Sequence, residues 1–82
     1  MALKRDSREY HCIVGSDVAR DGMYLEVSDP ASGSDVIVEI FYSDLDHQMS
    51  VTLFKPDVPL EVVEWAISMA RQRLPVGSDL VE

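Results

Sequence analysis

The stretch Val36–Phe54, VIVEIFYSDLDHQMSVTLF, decides the fold. Its first eight residues are β-branched or aromatic almost throughout, which favours a strand over Val36–Ser43. Asp44-Leu45-Asp46-His47 is turn chemistry. Gln48–Phe54 then alternates, with Met49, Val51 and Leu53 on one side and Ser50, Thr52 and Phe54 on the other. Two strands joined by so short a turn form an antiparallel hairpin. Closing it sets Tyr42 opposite Met49, Ile40 opposite Val51 and Val38 opposite Leu53.

The same logic runs outward in both directions. Upstream, Met23–Ser28 alternates cleanly, and Asp29–Asp35 (DPASGSD) is loop chemistry. Closing that loop sets Val27 opposite Val36 and Leu25 opposite Val38. Tyr10–Val14 is a further strand that ends at Gly15, with a turn signal at Asp21–Gly22. This hairpin sets Val14 opposite Met23 and Cys12 opposite Leu25. The three closures agree. They gather Cys12, Val14, Met23, Leu25, Val27, Val36, Val38, Ile40, Tyr42, Met49, Val51 and Leu53 on one core face.

Downstream, Lys55–Pro59 breaks the sheet, and the period turns helical from Val58 to Leu74. Asp57 is a candidate cap and Pro59 suits the first turn. Glu61 and Glu64 near the start and Arg71 and Arg73 near the end favour the helix dipole. Pro75 and Gly77 stop the helix. The expected fold is α+β: an antiparallel meander of about four strands, β-β-β-β-α, with one C-terminal amphipathic helix on one face. A single domain over residues 1–82 is expected, with a flexible basic head at 1–8, the sheet at 10–54, the helix at 58–74 and a tail at 75–82.

Composition narrows the function classes. Fifteen acidic residues against seven basic ones leave a net charge of −8, which repels phosphate backbones and anionic lipid; neither nucleic acid nor membrane is an expected partner. No apolar run reaches the length of a membrane span. A single cysteine, Cys12, forms no intrachain disulfide, and with no signal-peptide pattern at Met1–Arg8 the expected location is cytoplasmic. In size, acidity and lack of paired cysteines the chain resembles bacterial toxin-immunity proteins in general character, and that resemblance implies a basic protein partner.

Two surfaces look too apolar for a lone subunit. The sheet face opposite the core carries Ile13, Tyr24, Ile37, Phe41 and Phe54. On the helix, Leu60, Val63, Ala66, Ile67, Ala70 and Leu74 form the arc toward the sheet, while Val62, Trp65 and Met69 make a second stripe. The combined arc is wider than the ~100° a one-sided helix needs. Leu3 in the head and Leu80 and Val81 in the tail could cover part of it.

Chemistry-bearing clusters are sparse. Cys12 falls on the core face, as a small hydrophobe. His11 on the outer face is expected opposite Glu26, near Tyr24, Glu39 and Thr52, a constellation a small-molecule binder or enzyme could use. Asp44, Asp46 and His47 crowd one turn, yet the calcium-loop pattern is absent and such residues commonly satisfy turn backbone. No phosphate-loop, zinc or nucleophile-elbow motif is present. No catalytic, metal or cofactor site is therefore assigned. The expected function is a non-enzymatic protein–protein interaction module, a homodimer through the sheet face, the helix stripe or both. The alternatives are an inhibitor of a basic protein, and a binder or enzyme using the outer face.

Overall fold

The computed structural model describes residues 2–5 and 8–74. Five strands, β1 (Ala2–Arg5), β2 (Arg8–Asp17), β3 (Gly22–Asp29), β4 (Asp35–Ser43) and β5 (Met49–Leu53), form an antiparallel meander in the order β1-β2-β3-β4-β5. One helix, α1 (Leu60–Arg73), follows and packs on one face. The α+β class and the meander are as expected; the sheet has a fifth strand. The head expected to be flexible supplies it: Ala2–Arg5 pairs with β2, Leu3 opposite Tyr10. Arg8, the first residue of β2, ties that strand to β3 by donating a 2.8 Å hydrogen bond to Asp29, a buried carboxylate at the end of β3.

The register agrees with the sequence reading at one end and slips at the other. Tyr42–Met49, Ile40–Val51 and Val38–Leu53 pair as expected. The β2–β3 hairpin pairs Val14 with Leu25 and Cys12 with Val27, two residues from the expected register. The cause is that β2 does not stop at Gly15. It runs on to Asp17, and the turn is Val18–Asp21, with Asp21 in the left-handed region at φ 53°. A shift of two keeps every side chain on its own face.

The β3–β4 pairing carries a β-bulge. Val27 faces Val38 and Leu25 faces Ile40, two residues from the expected partners Val36 and Val38, but Ser28 faces Val36, so Ile37 is the extra residue. The bulge swings Ile37 into the core, 4% exposed, and places Val36 beside Glu26 and Phe54 on the outer face. The expectations for both residues are thereby reversed. The loop that imposes it is a 3-10 turn over Pro30–Ser32, capped by Asp29 and closed by Gly33 at φ 80°.

The core is Tyr10, Cys12, Leu25, Val27, Ile37, Val38, Ile40 and Tyr42 under Val62, Ala66, Ala70 and Leu74. The helix is thus rolled away from the expected arc. Val62, expected on an exposed stripe, is wholly buried, and Leu60, expected against the sheet, is exposed. Trp65 and Met69 are half-buried and pack on the core from one flank, Ile67 from the other. Pro59 occupies the cap position, where its carbonyl accepts from the Val62 and Val63 amides; Asp57 instead lies in the turn before it at φ 57°. Pro75, Gly77 and the tail with Leu80 and Val81 lie outside the described residues.

This core makes a simple stability contrast. Ile40→Val, which removes one methylene beneath the helix, lowers unfolding free energy by about 0.5–1.5 kcal/mol in urea titration with an unchanged m-value. Leu45→Ala, at an exposed turn, changes it by less than about 0.5 kcal/mol.

Candidate interaction surface

The sheet face away from α1 has no second layer among the described residues, and local chemistry partly covers it. Arg20, in the β2–β3 turn, folds back over this face. Its Nε donates to Asp17 Oδ2 at 2.6 Å, its Nη2 to Glu39 Oε2 at 2.8 Å, and its guanidinium lies 4.1 Å from the centre of the Phe41 ring. Glu26 and Glu39 are directly opposed across β3–β4, an unfavourable like-charge pair that Arg20 offsets. Two glycines make room for the rings: a Cβ on Gly15 would lie 2.5 Å from the Tyr24 hydroxyl, and one on Gly22 would strike the Phe41 ring.

The five residues expected to form one sheet-face patch are therefore scattered. Tyr24 and Phe41 are half-buried, and Ile37 is in the core. Ile13 (58% exposed), on β2, and Phe54 (55%), just past the end of β5, remain in the open, with Glu26 and Glu39 on the strands between them. The helix stripe is likewise dispersed, since Val62 is buried and Trp65 and Met69 are half-used by the core.

The residues weighed for chemistry separate as well. His11 lies opposite Ser28, not Glu26, which pairs with Ile13; its ring approaches Glu9 at 3.8 Å. In the β4–β5 turn, Asp46 accepts from the Gln48 amide and His47 Nδ1 meets the Tyr42 hydroxyl at 2.7 Å, so both are engaged in holding the turn. Among the described residues no three His, Cys, Asp or Glu side chains gather as a metal would need. Cys12 is buried, and burial pushes its thiol pKa up.

The apolar surface left open lies where the sequence did not point, on the helix-facing side of β5. Val51 and Leu53 face the same way as Ile40 and Val38, yet are 47% and 52% exposed because α1 lies over β2, β3 and β4. Between strand and helix runs a shallow groove of about 170 Å³ lined by Ile40, Met49, Val51, Ile67, Ala70 and Arg71. Among the described residues nothing pairs with the strand's outer backbone edge either. The Phe54 amide donates to Ile37 and the Ser43 amide to Gln48, which fixes the phase of the ladder. Even-numbered β5 residues bond to β4, so the N–H and C=O groups of Met49, Val51 and Leu53 point away from the sheet. No charged residue occurs from Gln48 to Phe54. The signal available in the sequence was the number of strands set against a single helix.

No protein-family model, curated protein or solved structure matches this chain.

Two measurements check this surface description. Arg20 holds the Asp17 carboxyl below the ordinary carboxylate range by side-chain and backbone hydrogen bonds. That contribution is present above the unfolded pKa of about 3.9 and is lost as pH falls through the lower folded value. Arg20→Ala therefore lowers the urea midpoint at pH 7, and the gap to wild type narrows below about pH 4; a gap constant down to pH 2 would mean that Arg20 acts through Phe41 alone. Separately, Cys12 reacts with a maleimide only as fast as the chain unfolds, so labelling accelerates with urea; rapid labelling of the native protein contradicts its burial.

Proposed function

We propose that this chain is a non-enzymatic protein–protein interaction module that acts as a homodimer, with the β5–α1 flank as its contact surface. The observation that carries this reading is the bare, uncharged edge of β5 joined to half-exposed Val51 and Leu53. An edge strand without charge, proline or bulge is a pairing site unless something covers it. The scattered state of His11, Glu26 and Thr52 supports a binding role over a catalytic one. A lone, buried Cys12 suits a reducing compartment such as the cytoplasm.

Light scattering during size exclusion tests the reading. The expected result is a species of twice the chain mass that dissociates on dilution. A chain of net charge −8 repels its own copy, so salt strengthens the dimer; association with a basic partner would weaken with salt. A single-chain mass at every concentration and salt level removes the homodimer.

A further inference from the structure

We propose that the second copy docks edge to edge through β5, about a twofold axis passing through Val51, so that the two sheets become one continuous antiparallel sheet. This inference rests on the interaction-module reading and names its geometry.

Three features of β5 agree on that arrangement. The first is the backbone. Met49, Val51 and Leu53 present their N–H and C=O groups outward. An antiparallel twofold at Val51 sets Val51 against Val51 and Met49 against Leu53, each pair exchanging both bonds. This register pairs all of Met49–Leu53.

The second is polarity. Met-Ser-Val-Thr-Leu reads apolar, small polar, apolar, small polar, apolar in either direction. Under the twofold, Met49, Val51 and Leu53 of both copies line one face and close over the two grooves, while Ser50 meets Thr52 on the other. An isologous interface needs this self-complementarity.

The third is charge. The paired strip is neutral, so copies of an acidic chain meet where they do not repel. The axis also sets Lys55, just past one end of β5 and 3.6 Å from Asp35 of its own chain, toward the partner copy's Asp44–His47 turn at the other end. On α1, Glu64 and Arg71 lie two turns apart on the flank that holds Ile67. Reversal by the axis puts the Glu64 end of one helix on the side of the other's Arg71 end. A five-residue strip makes an interface at the small end of the specific range, so the dimer is reversible rather than permanent.

Paired charge variants test the axis directly. In Val51→Lys or Val51→Glu alone, like charges stand opposite one another, and self-association falls by more than about tenfold. An equimolar mixture of the two restores the dimer, because Lys now faces Glu. The site is half-exposed, so each variant keeps the wild-type far-UV circular dichroism spectrum. Mixing Ser50→Cys with Thr52→Cys under oxidation yields a disulfide-linked heterodimer faster than either variant links to itself. A wild-type dimer that survives in Val51→Lys and Val51→Glu overturns this geometry while leaving the interaction module intact. A wild-type chain that is monomeric throughout overturns both.

Discussion

A helix about 10–12 Å across cannot roof a sheet whose five strands, spaced by about 4.8 Å, span roughly 19 Å between their outermost axes. This mismatch of widths governs the molecule. Helix α1 settles over the middle strands, where Ala66 and Ala70 let it come close, and Val62 and Leu74 complete the seal. What lies beyond its two flanks depends on the side chains it carries there. On one flank Trp65 and Met69 are long enough to extend the cover. On the other, Ile67 and Ala70 leave a groove, and Val51 and Leu53 emerge from the far side of an otherwise dry core.

The opposite face meets the same shortage with different means. With no helix there, one guanidinium lies over Phe41, neutralises Glu39 and ties back to Asp17. Tyr24 and Phe41 fold onto the hairpin's glycines rather than stand in water. Apolar area that looks like a docking face when strands are read side by side is thus largely absorbed by a single turn residue. Ile13 and Phe54 survive as isolated exposures of the sort any surface carries.

The sheet was legible in the sequence because period-two alternation fixes faces, and the Asp44–His47 turn is short enough to fix register. The helix was legible from its period and its proline and arginine boundaries. Several features were not, the pairing of Ala2–Arg5 with β2 among them. Slipping Val14 from Met23 to Leu25 leaves alternation intact, so no face pattern distinguishes the two registers. The bulge at Ile37 arises from how the Pro30–Ser32 turn meets β4, a geometric demand that Val-Ile-Val does not encode. The roll of α1 was hidden because apolar residues fill most of its circumference, and the choice between Leu60 and Val62 falls to packing against particular strands. The candidate surface is hidden for a related reason: alternation marks which residues share the core face but not how much of that face one helix covers, and α1 leaves Val51 and Leu53 half-exposed.

The two sheet edges differ in a way that bears on assembly. Strand β1 is four residues long and its sequence carries Lys4 and Arg5, the kind of short, charged edge that resists growth. Strand β5 has no charge, no proline and no bulge. If both edges were bare, pairing would have no reason to stop, and an edge-to-edge contact would propagate into a fibre. With one guarded edge and one bare, self-complementary edge, pairing through β5 consumes the only bare edge each chain offers among the described residues. The proposed assembly would end in β1 at both sides. Closure at two copies then follows from the asymmetry of the edges rather than from the strength of the contact, which is why a modest interface would suffice.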